Sequence, residues 1–148
     1  VNGTSPLSFA GLAAGNYFVT LRHRNHQGVM TLAAVGLSSA PGVIDFTNVA
    51  TSTYGTSATK TVGSVQTLYA GNALRDASLK YTGSGNDRDP ILVAVGSTTP
   101  NNTVSGYLPT DVNMDGVAKY TGSANDRDPI LVNVGSTTPN NVRTEQLP

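Results

Sequence analysis

The chain has no cysteine and no tryptophan, its charges cancel, and it holds no apolar run long enough to cross a bilayer as a helix. Without cysteine there are no disulfides and no thiolate chemistry, so bracing beyond packing falls to hydrogen bonds and metal ions. Nine basic residues balance nine acidic ones, and charged residues make up 12% of the chain, which leaves no long-range field to draw nucleic acid or an anionic membrane. Also missing are a G-x-S-x-G elbow, an H-E-x-x-H helix and a glycine-rich phosphate loop, and the reading is of a non-enzymatic protein. The chain opens on Val1 without a signal segment, as a mature or excised fragment would. Glycine, serine, threonine and asparagine are plentiful while lysine and glutamate are scarce, a profile of β-rich exported proteins.

With 148 residues the chain has room for one domain or two small ones. Over residues 1–69 the apolar residues alternate as in strands. In NYFVTLRHR, Tyr17, Val19, Leu21 and His23 share one face, and a turn at Asn25 to Gly28 reverses the chain into VMTLAAVGL as a hairpin. Further strands are expected at Val43 to Phe46, around Thr51 to Tyr54, and from Thr61 to Tyr69. The fold class is mainly β: an immunoglobulin- or transthyretin-like sandwich over 1–69, with about five or six strands against the roughly seven of a complete one. A sheet short of a strand leaves backbone donors and acceptors along an edge, to be completed either by sequence upstream of Val1 or by a neighbouring subunit. Val1 to Phe9 and the tail after Asn141 are the candidate donors of such a strand.

The second half, 70–148, is an internal duplication, divided as 70–109 and 110–148. Lys80 to Asn102 and Lys119 to Asn141 match at an offset of 39 residues and differ only at Gly85 against Ala124 and Ala94 against Asn133. A repeat that close is one structural unit used twice. Two loop-helix units packed face to face, burying their Ile and Leu, are expected.

The most legible chemistry lies ahead of the second copy. Asp111, Asn113 and Asp115 fall at alternate positions, and Gly116 follows at the sixth place, where a tight loop needs a residue free of Cβ strain. A chain curling about one point turns every second side chain inward, and Ca2+ takes roughly six to eight oxygens, so the spacing points to a calcium loop. Val117 and Lys119 would add backbone carbonyls. The twelfth position is Gly122 and not the bidentate Glu of an EF-hand, which leaves closure of the shell to Asn125, Asp126 and Asp128. Asp128, followed by Pro129, is the expected N-cap of a short helix ending at Gly135. The same residue types also build metal-free Asx turns. In the first copy Asn72, Leu74, Asp76 and Ala77 stand where the second has Asp111, Asn113, Asp115 and Gly116, so Asn72, Asp76, Asp87 and Asp89 make at most a weaker second site.

Elsewhere, Arg22, His23, Arg24 and His26 could hold a transition metal or an anion, or lie across a neighbouring sheet face. Arg88 and Arg127 in the two NDRD runs are expected to form local ion pairs. Asn2 and Asn101 stand in N-x-[ST] acceptors for glycosylation. Tyr54, Tyr69, Tyr81, Tyr107 and Tyr120 are the aromatics available to a glycan-binding surface.

The D-x-N-x-D-G loop with its later acids resembles a dockerin-type calcium loop carrying an insertion. Across nearly the whole chain, GNYFVTLRHRNHQGVMT, NDRDPILVAVGSTTPNN and the closing NDRDPILVNVGSTTPNNVRTEQLP resemble the C-terminal module of large secreted Bacteroidota surface proteins of haemagglutinin or adhesin type. The resemblance implies an extracellular or cell-surface location and a structural role in an assembly or fibril of identical subunits. A glycan- or protein-binding adhesin module is the alternative. The calcium pattern it implies falls on Asp111, Asn113, Asp115 and Asp128, whereas Leu74 and Ala77 depart from it.

Overall fold

The computed structural model describes residues 6–148. The protein is mainly β, and the described residues form two short helices and strands of two or three residues joined in five separate two-stranded antiparallel ladders. Candidate donor residues 1–5, with the acceptor Asn2, lie outside the described residues.

The expected hairpin forms, but as an interrupted one. Strands β1 (Gly15–Tyr17) and β2 (Thr20–Leu21) pair with β4 (Val35–Leu37) and β3 (Val29–Met30) respectively, in the registers Tyr17↔Val35 and Thr20↔Met30. The break has a local cause: the Thr31 hydroxyl accepts the Val19 N–H, and Thr31 N–H donates to Val19 O, so a side chain enters the ladder at that step. No strand forms at Val43 to Phe46, and the expected strand near Thr51 to Tyr54 is reduced to an isolated Thr31↔Thr53 bridge. Asp45 and Asn48 compete there. Their side-chain oxygens accept the backbone N–H groups of Thr47 and Ala50, and such Asx turns offer the chain an alternative to a ladder. The Thr61 to Tyr69 stretch becomes a tight hairpin, β5 (Lys60–Val62) with β6 (Val65–Thr67).

The duplicated half repeats its structure as it repeats its sequence. The first copy runs β7 (Ser78–Lys80), α1 (Arg88–Ala94), β8 (Thr103–Ser105); the second runs β9 (Val117–Lys119), α2 (Arg127–Val134), β10 (Val142–Thr144). Pairing crosses between copies. Strand β8 joins β9 with Thr103↔Lys119, and β10 returns to join β7 with Val142↔Lys80, the same register in both cases. The Thr121 hydroxyl donates to Pro100 O and Asn101 Oδ1, and Thr82 does the same to Pro139 O and Asn140 Oδ1. Each unit completes the other, which closes the pair into a two-membered ring. The tail after Asn141, a candidate for donation to another subunit, is thereby paired within its own chain.

The core lies between the units. Leu79, Ile91 and Ile130 are fully buried, with Tyr69, Val112 and Val134 around them and Tyr81 and Tyr120 packed on the outside. Gly71, at φ 121°, is required there, because a Cβ would come within 2.9 Å of Ile130 Cγ1 and Leu79 Cδ1. The N-terminal part contributes a small core of Val29, Met30 and Ala58, and leaves Leu7, Phe9, Phe18 and Val43 exposed.

That part is bound to the repeats by polar contacts, several of them from one segment. Asn25 Nδ2 donates to Asp111 O at 2.6 Å, Gln27 Nε2 to Arg143 O at 2.9 Å, and Gly28 N–H to Glu145 Oε1 at 2.6 Å. Gln27 N–H donates to Tyr69 O, and Asn25 O accepts from Gly71 N–H.

Candidate metal centre

Helix α2 starts two residues earlier than the Pro129 signal suggests, which corrects the assignment of Asp128 as its cap. Asp126 occupies the N-cap position but makes no capping bond with its side chain. The cap is supplied from one residue further back. Asn125 Oδ1 accepts the Arg127 and Asp128 N–H groups at 3.1 and 3.2 Å, while Asn125 Nδ2 donates to Gly122 O and to Asp128 Oδ2 at 2.9 Å. Asn86 repeats every one of these bonds at the head of α1. Asp128 and Asp89 are therefore exposed first-turn acids engaged by the capping amides.

Freed from capping, the Asp126 carboxylate turns inward. Its Oδ1 accepts from Val112 N–H at 2.6 Å and Asn113 N–H at 3.1 Å, and its Oδ2 from Lys119 N–H at 2.7 Å. Asp87 does the same for Leu74 and Lys80. Both carboxylates are 0% exposed. They clamp the start of each loop to the strand that follows it, a use of a buried acid that backbone donors make tolerable. Burial pushes the Asp87 carboxyl up to about 6, and it raises Asp126 as well, against the backbone N–H groups that pull both the other way. The Lys119 carbonyl, expected to face a metal, accepts the Asp126 N–H at 2.9 Å, and Val117 lies in the β8–β9 ladder.

The loop oxygens proper stand together. Asn113 Oδ1 accepts Asp115 N–H and Asp115 Oδ1 accepts Val117 N–H, both at 2.9 Å, while Asn113 Nδ2 spans Asp115 Oδ2 and Ala124 O. Met114 takes a left-handed φ of 63° and Gly116 one of 89°, so the chain curls as the spacing of its acids predicts. Asp111 is 1% exposed. Its Oδ2 accepts from Gly116 N–H and pairs with Arg24 Nη2, each at 3.2 Å, while its Oδ1 is buried without a hydrogen-bond partner among the described residues.

Among the described residues no three His, Asp or Glu side chains form a preformed metal cage. The donor set fits a hard cation at one point all the same. A buried carboxylate oxygen with no donor costs on the order of 1–3 kcal/mol, more when charged, and a cation beside it removes that cost. Asp111, with Asn113 and Asp115 from the same curl, is the set that could hold such an ion.

The first loop is built otherwise. Asn72 Nδ2 donates to Asp76 O at 2.6 Å and Asn72 Oδ1 accepts Asp76 N–H at 3.1 Å, so the amide closes the loop on itself with both of its functions used. Ala77 does not adopt the left-handed φ of its counterpart Gly116. Nothing there is left wanting a cation.

Four arginines take places that the sequence did not announce. Arg88 and Arg127, expected to form ion pairs, stack on Tyr81 and Tyr120 at 4.5 and 4.4 Å. Arg143 lies over Tyr69 at 3.7 Å, and Arg24 over Tyr107 at 3.9 Å while its Nε donates to Leu108 O. Tyr69, Tyr81 and Tyr120 are thus part of the core or its edge, and Tyr54 and Tyr107 are the exposed aromatics among the candidates for glycan contact. Asn101 is exposed, with its Oδ1 in the inter-repeat clasp. Among the described residues no helix is long and apolar enough to cross a membrane. Compared with protein-family models, curated proteins and solved structures, the chain matches none.

Proposed function

We propose that this chain is a non-enzymatic structural subunit of an extracellular or cell-surface assembly, stabilised by Ca2+ bound at the dockerin-like loop of Asp111, Asn113 and Asp115. The observation that carries the reading is the buried, unpartnered Oδ1 of Asp111 within a D-x-N-x-D-G curl. The ion supplies positive charge to a carboxylate whose other oxygen already holds Arg24. Ca2+ there braces the second loop against the N-terminal part, because Asp111 sits between the loop and the segment that ties that part down.

The role in an assembly rests on the N-terminal part. Its ladders are two-stranded and its large side chains at Leu7, Phe9, Phe18 and Val43 face solvent, as the half of a sandwich would before strands from an identical subunit complete it. With β10 already paired in its own chain, donation falls to the N-terminal side.

Calorimetry of the full chain with Ca2+ and with a chelator tests the metal, and electron microscopy of the same preparation tests the assembly. Ca2+ at about 100 times its dissociation constant should add about 2.7 kcal/mol to the unfolding free energy. Equal melting temperatures in both buffers would overturn the calcium reading, and a dispersed monomer without filaments the assembly.

A further inference from the structure

Outside the loop, one cluster of donors has more lone pairs than protons. His23 Nδ1 and His26 Nδ1 lie 2.9 Å apart, and His26 Nδ1 lies 2.7 Å from Asn25 Oδ1. The orientation of Asn25 is set elsewhere, since its Nδ2 donates to Asp111 O at 2.6 Å, which leaves the oxygen facing the imidazole. An amide oxygen donates nothing, and a neutral His26 Nδ1 carries at most one proton. If that proton goes to Asn25, His23 Nδ1 receives at best a shared one. If His23 donates instead, two lone pairs face each other across the shorter contact. One proton shared along both lines makes two weakened bonds.

We infer that His23 Nδ1, His26 Nδ1 and Asn25 Oδ1 form a binding site for a late first-row divalent ion of the Cu2+ type, with water completing its shell. Metal–imidazole bonds of about 2.05 Å set at right angles put the two nitrogens about 2.9 Å apart, whereas a tetrahedral ion such as Zn2+ spreads them to about 3.3 Å. The observed 2.9 Å equals the right-angle separation and lies within hydrogen-bond range as well. The T-shaped approach of the rings, with centroids at 4.4 Å, lets both nitrogens converge without stacking. The two histidines line a cavity of about 290 Å3 in which Asp76 and Glu145 offset the positive charge of Arg22 and Arg75, leaving room for the remaining ligands. Burial holds both imidazoles below their usual pKa, with the charge of Arg24 adding to it at His23 and the charges of His23 and then Arg24 at His26, which falls to about 4. This site does not depend on calcium at Asp111, and it ties the 23–26 turn to the repeats through Asn25.

The test is a Cu2+ titration of the full chain, α-amino group acetylated and millimolar Ca2+ present, followed by electron paramagnetic resonance and calorimetry. These two histidines are the only ones in the chain, and there is no cysteine, so imidazole nitrogen couplings can come from nowhere else. The expected result is one tetragonal Cu2+ per chain with two coupled nitrogens. His23→Gln, at a half-buried position, should leave one nitrogen and weaken binding roughly 100-fold with an unchanged circular dichroism spectrum. A one-nitrogen spectrum in the unaltered chain, or equal affinity in His23→Gln, would overturn the assignment.

Discussion

The two repeats share a scaffold to within a few residues and differ at the one place where a cation would sit. Asp87 and Asp126 clamp their loops in the same way, Asn86 and Asn125 cap their helices in the same way, and Arg88 and Arg127 stack on equivalent tyrosines, Tyr81 and Tyr120. Yet Asn72 closes its loop with its own amide, while Asp111 brings in a charge that needs Arg24 on one oxygen and leaves the other without a donor. The carboxylates that matter most to the fold are thus not the ones that distinguish the copies. The first loop is held shut by the Asn72 amide, and the second has Asp111, Asn113 and Gly116 in place of Asn72, Leu74 and Ala77.

Three sets of variants would break or sharpen that contrast. The largest effect belongs to what the copies have in common. Asp126→Ala and Asp87→Ala each strand buried backbone N–H groups, and each should cost about 3 kcal/mol or more in urea unfolding, with or without Ca2+. A loss below about 1 kcal/mol in either would show that the clamp is dispensable.

Next comes the exchange at the first loop position. Asp111→Asn should abolish the Ca2+-dependent gain in melting temperature, about 2.7 kcal/mol at saturation, while Asn72→Asp should lose about 1 kcal/mol in chelator through the missing bond to Asp76 O. A Ca2+ response that survives Asp111→Asn would place the ion elsewhere.

The smallest effect concerns Ala94 against Asn133. Asn133 accepts from Lys60 Nζ and donates to Ala70 O, so Asn133→Ala should cost about 1–2 kcal/mol, whereas Ala94→Asn should stay within about 0.5 kcal/mol. Equal costs would mean that the helices are not distinguished by the hairpin docked on α2.

Much of the candidate site could be read from residue order because it is local. The D-x-N-x-D-G curl, the glycine at its sixth place and the loss of both charge and glycine in the first copy all follow from spacing, and the loop geometry at Met114 and Gly116 agrees. The role of Asp126 was not legible in that way, since its donors at Val112 and Asn113 lie across an insertion and nothing in NDRD says which acid turns inward. Proline misled the cap assignment by two residues: Pro129 tolerates the first turn at more than one position, and the Asn125 amide was the stronger signal. Arg24 reaching Asp111 and Glu145 reaching Gly28 are pairings between distant segments that no periodicity encodes.

In the N-terminal part alternation correctly named a hairpin and overstated its length, because Thr31 enters the ladder opposite Val19 and Asx turns at Asp45 and Asn48 take the place of a strand. Local chemistry determined the elements that close over a few residues: turns, helix caps, the curl of the loop and the identity of the two units. Tertiary structure alone decided that β10 returns to β7 and that one carboxylate oxygen is left without a donor. Both outcomes depend on which distant groups arrive at a given point, and a buried polar atom is satisfied or not by those neighbours alone.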